Sequence, residues 1–82
     1  MRLPRDLSGE ALASLLRRYG YAIMRQTGSH LRLTSTYSGE AHHVTIPRHP
    51  SLKVGTLSAI LADVAAYLGI DREHLAKELF DR

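Results

Sequence analysis

Residues 25–34 read Arg25-Gln26-Thr27-Gly28-Ser29-His30-Leu31-Arg32-Leu33-Thr34, and this stretch decides the fold. From His30 onward, apolar and polar side chains alternate with the period of two that a strand imposes. Leu31, Leu33 and Tyr37 fall on one face, and His30, Arg32, Thr34 and Thr36 on the other. Just before it, Gly28-Ser29 makes a two-residue, glycine-containing break, which signals a hairpin. The segment leading into that break, Tyr21 to Thr27, is then the first strand. Its alternation is imperfect: with Tyr21 and Ile23 inward, Arg25 also turns inward unless a bulge near the turn re-aims it. A second turn at Ser38-Gly39-Glu40 leads to a third strand, Ala41 to Ile46, with Val44 and Ile46 inward and His43 and Thr45 outward. The meander therefore has one apolar face and one polar face.

Helices flank it. Leu12, Leu15, Leu16 and Tyr19 recur at helical spacing, Ser8 is placed to cap, and Leu7 and Leu12 stand in the relation of a hydrophobic staple. Glu10 in the first turn and Arg17 and Arg18 in the last suit the macrodipole, and Gly20 supplies a left-handed stop. Pro47 and Pro50 end the third strand and open an irregular loop to Gly55. Leu57, Ile60, Leu61, Val64 and Leu68 then form the stripe of a second helix, with Thr56 as its expected cap and Gly69 as its end. Asp71 caps a last helix through Phe80, which buries Leu75, Leu79 and Phe80. Met1–Arg5 and Asp81-Arg82 read as loose ends. Apolar stripes on the helices and one apolar sheet face bury one another only in layers. The expected fold is α+β, a two-layer sandwich with a three-stranded antiparallel meander and helices on one face, in the order α-β-β-β-α-α. Residues 1–82 make a single domain, with 70–82 as a C-terminal helical extension.

The chain has 82 residues, and at that size only about 63% of the unfolded surface is hidden on folding, which limits it to one small core. There is no cysteine, hence no disulfide framework and no thiolate metal site. Apolar runs are short, so no membrane partner is expected, and Met1-Arg2-Leu3-Pro4 opens no signal-peptide core; the expected location is cytoplasmic. The net charge of +3 conceals an asymmetry. Residues 1–55 carry Arg2, Arg5, Arg17, Arg18, Arg25, Arg32, Arg48 and Lys53 against Asp6, Glu10 and Glu40, whereas residues 56–82 are net acidic. His30, His42, His43 and His49 also cluster in the basic part. Nucleic acid is the natural partner of such a part.

His30 is the residue best suited to chemistry. It sits where Gly28 permits a sharp turn and close approach of an anion to the main chain, on the open face with Arg32, His43 and Thr45. An unperturbed imidazole titrates near ~6.5 and so takes or gives a proton at neutral pH. RNA cleavage needs that: the 2′-hydroxyl loses a proton and the 5′-oxygen regains one. Arg25, Arg32, Arg48 and Lys53 supply cations for phosphate and for a pentacoordinate transition state. The amides at Gly55-Thr56 are a second candidate anion site, although capping is the more ordinary use of Thr56. His49 has three readings: a second proton carrier, a phosphate donor, or a loop residue. His42 and His43 leave a strand on opposite faces and cannot share one metal ion, so no metal or other cofactor is expected. His42 reads as packed at the sheet edge, and His74 as an exposed residue at a helix start. No G-x-S-x-G elbow and no phosphate-cradling G-x-x-x-x-G-K-[ST] loop is present.

Three segments in order, Arg25-Gln26-Thr27-Gly28-Ser29-His30, Ile46-Pro47-Arg48-His49 and Gly55-Thr56-Leu57-Ser58-Ala59-Ile60-Leu61, resemble the HicA (YcfA-type) toxins of toxin–antitoxin pairs, over residues 8–61. The resemblance implies a double-stranded-RNA-binding-domain-like fold and a metal-independent mRNA endoribonuclease with His30 as the active histidine, supported by Gly28 and Ser29. It also implies a HicB-type antitoxin that covers the active face. His49 matches the P-x-H position without acquiring a role from that match. Oligomeric state does not follow from the sequence. Two other readings stand beside the nuclease: a non-catalytic RNA-binding module of the same fold, and a basic protein-interaction domain.

Overall fold

The computed structural model describes residues 3–81; Met1, Arg2 and Arg82, part of the expected loose ends, lie outside the described residues. The elements are α1 (Gly9–Leu16) with a 3-10 turn (Arg17–Tyr19), β1 (Ala22–Gln26), β2 (His30–Ser35), β3 (His42–Pro47), α2 (Val54–Leu68) and α3 (Arg72–Phe80). The strands form one antiparallel sheet in the order β1-β2-β3, so the α+β arrangement in the expected order is what the chain adopts. No single helix among the described residues is long and apolar enough to cross a membrane.

Alternation in β2 and β3 builds the inner layer. Leu31, Leu33, Val44 and Ile46 are buried, and Leu12 and Leu16 of α1, Leu57, Leu61 and Val64 of α2 and Leu75 of α3 close over them. Each such side chain removed from water contributes about 1.5–3 kcal/mol before entropy is counted. Ser8 caps α1, its hydroxyl accepting from the Ala11 amide at 3.0 Å, and Gly20 and Gly69 stop α1 and α2 with φ of 78° and 73°. Asp71 caps α3 by accepting from the His74 amide at 2.7 Å. Gly9 is required by close approach: a Cβ there would lie 2.0 Å from the Pro47 carbonyl oxygen, where α1 meets the end of β3.

Several expectations are corrected. Helix α2 begins at Val54 with Lys53 at its cap position, so Thr56 lies inside the first turn and is not the cap. Strand β2 ends at Ser35, and the third inward position is that serine; Tyr37 is 62% exposed on the following turn. Ser35 is tolerated in the interior because its hydroxyl donates to the Tyr19 carbonyl at 2.6 Å and accepts from the Tyr37 amide at 3.0 Å. The bulge in β1 is present, with the register slipping by one residue between Ile23 and Arg25, so Arg25 comes to lie opposite Arg32. Ile23 keeps the inward position opposite Leu33 but is 46% exposed, because β1 is an edge strand and the α1 residues beside it, Ala13 and Ser14, are short. Leu68 and Phe80 are only half-buried.

The end of the sheet where Tyr21, the start of β3 and α2 come together is closed by a polar chain. The Tyr21 hydroxyl lies 2.7 Å from His42 Nδ1, and His42 Nε2 is 3.1 Å from Asp63 Oδ1. The imidazole stacks on Tyr67 at 4.6 Å between centroids, and the Tyr67 hydroxyl donates to the Glu40 carbonyl at 2.5 Å. Burial, followed by the neighbouring Tyr67 and Asp63, pushes the Tyr21 phenol well above its ordinary value. The Asp63 carboxylate accepts from Nε2–H of His42, which leaves Nδ1 as the acceptor for the Tyr21 hydroxyl. His42 is thus packed at the sheet edge, as the sequence predicts.

Candidate nucleic-acid interface

The helices cover one face of the sheet, and the other carries the charge. Pairing puts Arg25 directly opposite Arg32, and Arg32 opposite Thr45, in one row across the three strands. Ala22, Thr34 and His43 form the next row, and His30 with Pro47 a third. No carboxylate lies among these strand positions. Like charges directly opposite one another destabilise a sheet, so the Arg25–Arg32 juxtaposition costs stability unless an anion lies across it. Arg32 donates to the Thr45 hydroxyl at 3.2 Å, and the Arg25 side chain has neither hydrogen bond nor ion pair among the described residues. His43 faces the same side and lies 2.8 Å from the Thr34 hydroxyl through Nδ1.

The turn before β2 is built in an unusual way. The Thr27 amide donates to the His30 carbonyl at 2.9 Å, as in a tight hairpin. The reciprocal bond is missing: the His30 amide donates to the Thr27 hydroxyl at 3.0 Å, as does the Ser29 amide at 3.3 Å. The Thr27 carbonyl so released accepts from the Arg48 guanidinium at 2.8 Å. Gly28 does not take the left-handed conformation that would require glycine; a Cβ there would meet nothing, and what its small size provides is an open approach to the main chain.

His30 itself is exposed, with Nδ1 2.9 Å from the Ser29 hydroxyl. A hydroxyl both donates and accepts, so Ser29 satisfies Nδ1 in either tautomer. Nε2 has no partner among the described residues and is left either as a lone pair or as an N–H donor. His30 and Ser29 are therefore together, with Arg32 two residues along the same face.

The other expected cations are placed differently. Arg48 continues the β2–β3 ladder through its amide, which donates to the Ser29 carbonyl at 2.8 Å. Its side chain turns to the helix-covered side, where it pairs with Glu10 at 3.1 Å. Lys53 is exposed at the start of α2. The His49 side chain is exposed just beyond Arg48, and its carbonyl accepts from the Gly9 amide at 3.0 Å. His74 is exposed near the start of α3, 3.5 Å from Glu78. Sequence reasoning missed Thr27 as the polar hub of the turn and Glu10 as the partner of Arg48. For Glu10 no local signal exists, since 38 residues separate it from Arg48.

Comparison with known proteins agrees with the geometry. A family model described as HicA toxin of bacterial toxin-antitoxin matches residues 9–65. Neither the curated proteins nor the solved structures contain a match to the chain. The match spans α1, the whole sheet and most of α2, and includes the His30 turn, the Pro47-Arg48-His49 segment and the start of α2. The chain belongs to the HicA family, the toxins of toxin–antitoxin systems.

Proposed function

We propose that this toxin is a metal-independent endoribonuclease that cleaves mRNA in the cytoplasm, with His30 as its general acid–base, and that a HicB-type antitoxin restrains it by covering the open face. The observation that carries this reading is the exposed His30 ring, engaged at Nδ1 and free at Nε2, on a carboxylate-free sheet face with Arg25 and Arg32. The lone pair on Nε2 takes the proton of a ribose 2′-hydroxyl as that oxygen attacks the adjacent phosphorus. The P–O5′ bond breaks, giving a 2′,3′-cyclic phosphate and a 5′-hydroxyl once the departing oxygen is protonated. Arg25 and Arg32 hold the phosphate and carry the growing negative charge of the pentacoordinate state, and Lys53 extends the contact to neighbouring phosphates. His49 is the candidate for returning a proton to the 5′-oxygen. Cations aligned on one face perform the charge stabilisation, so no metal is required for it.

End-labelled RNA incubated with the purified protein in excess chelator tests this. The wild type is expected to cut, and His30→Ala to leave the RNA intact while unfolding at the same temperature. Normal cleavage by His30→Ala overturns the assignment. RNA that is bound with strong salt dependence but never cut points to the binding module, and no affinity even at low salt points to a protein-interaction domain.

A further inference from the structure

We propose that Arg48 and Glu10 are positioning residues for His30, forming a latch that holds the Thr27–His30 turn against α1; the inference rests on His30 being the proton-transfer group. Four observations converge on it. The Arg48 guanidinium bridges two elements, with one nitrogen on the Thr27 carbonyl at 2.8 Å and another on the Glu10 carboxylate at 3.1 Å. The Arg48 amide holds the same turn from its other side, through the Ser29 carbonyl at 2.8 Å. The acceptor that Arg48 fills is the one left open because the His30 amide has gone to the Thr27 hydroxyl. Finally, the base of the latch is itself anchored, since the Gly9 amide, next to Glu10, donates to the carbonyl of His49, next to Arg48.

The geometry separates this role from phosphate binding. Arg48 lies on the helix-covered side of the sheet by register, opposite to the face that presents His30, Arg25 and Arg32, and only 27% of its side chain is exposed. Its planar fork is needed because two acceptors on different elements are bridged at once, which a lysine ammonium on a flexible stem does poorly. The turn's internal main-chain hydrogen bonds all run through the Thr27 amide and hydroxyl, so they shape the turn without fixing it to the rest of the fold; the Arg48 guanidinium on the Thr27 carbonyl is what ties it to α1. Without Arg48 the His30 ring wanders relative to Arg32, and a misplacement of about 1 Å costs about a hundredfold in rate.

Glu10 makes the proposal sharp, because charge and position predict opposite signs. Removing a carboxylate near a polyanion site strengthens RNA binding; releasing the latch weakens catalysis. The experiment compares wild type, His30→Ala, Glu10→Gln, Arg48→Lys and Arg48→Ala by kcat and KM on a labelled RNA oligonucleotide, by the salt dependence of binding, and by 15N relaxation order parameters of residues 27–30. For Glu10→Gln the expected result is kcat lower by several-fold with KM unchanged or reduced. For Arg48→Ala and Arg48→Lys alike, kcat falls about tenfold to a hundredfold with an unchanged salt slope. In all three, order parameters at the turn drop from near about 0.85 toward 0.6. The proposal is overturned if Arg48→Ala shallows the salt slope by about 0.7–0.9 and raises KM while Arg48→Lys restores both, the signature of a phosphate contact. It is equally overturned if Glu10→Gln leaves both kcat and the order parameters unchanged. Failure of the nuclease reading is distinct: there His30→Ala cuts as the wild type does or nothing is cut, and the order parameters alone decide whether the latch exists.

Discussion

His30 and His42 stand at opposite ends of the same small sheet, and each has a hydroxyl on Nδ1, Ser29 at 2.9 Å and Tyr21 at 2.7 Å. They differ at the other nitrogen. Nε2 of His42 is held by Asp63, and its ring is stacked on Tyr67; Nε2 of His30 has no partner among the described residues, and its ring is open to solvent. The Asp63 carboxylate accepts from Nε2–H and so fixes one tautomer of His42, with Nδ1 left to accept from Tyr21, whereas His30 has no such partner and its Ser29 hydroxyl serves both tautomers. One imidazole therefore secures a corner of the fold, and the other is left available for proton transfer. Sequence neighbourhood already set His30 apart from His42; the state of the second nitrogen gives the physical difference between them.

Exchanging the two fates gives the largest expected effect. His30→Ala should lower kcat for RNA cleavage about 10²- to 10⁴-fold and shift stability by no more than about 0.5 kcal/mol, as expected of an exposed side chain. His42→Ala should do the reverse, leaving kcat near the wild-type value and costing about 1–3 kcal/mol in a denaturant titration, because the Tyr21 hydroxyl loses its acceptor in the interior. Equal effects of both substitutions on cleavage would dissolve the contrast.

Arg32→Ala acts on the open face alone. Loss of one phosphate contact should shallow the plot of log affinity against log salt by about 0.7–0.9, while the unfolding midpoint of the free protein stays level or rises slightly because the like-charge pair with Arg25 is gone. The closed corner has its own signature in alkali. The folded state holds the Tyr21 phenol neutral above the ordinary tyrosine value, chiefly through burial, and does the same less strongly for Tyr19, through burial and then Glu78. Above about pH 10 the unfolded chain releases protons that the native state keeps, so stability is full below that pH and falls as pH rises beyond it. Tyr21→Phe should cost about 1 kcal/mol at neutral pH and flatten the alkaline decline, leaving the part due to Tyr19. The smallest effect is expected of Asp63→Asn. Asp63 is 58% exposed, and a solvated pair of this kind is worth less than about 1 kcal/mol.

Much of this was legible along the chain. The alternation of Leu31 and Leu33 with His30 and Arg32 assigned both faces of β2, and Ser8, Gly20, Gly69 and Asp71 marked helix ends, because capping and left-handed stops depend on a few adjacent residues. The conflict between Ile23 and Arg25 left two outcomes, an inward arginine or a bulge, and the register shift in β1 is the second. Thr56 failed as a cap because α2 starts two residues earlier, a boundary that local pattern defines poorly. Tyr37 failed as an inward residue because β2 ends where Ser35 finds partners in Tyr19 and Tyr37, a tertiary arrangement.

The order of elements, the basic character of the open face and the candidacy of His30 were determined by the sequence alone, since periodicity and charge are properties of neighbours along the chain. Which cations share the face with His30 was decided only by the tertiary structure. Arg25 reaches Arg32 through pairing across a hairpin, and Arg48 turns away to Glu10 and the Thr27 carbonyl because α1 packs against the end of β3 there. Side-chain partners depend on which distant segments come into contact, and a linear pattern carries no measure of that distance.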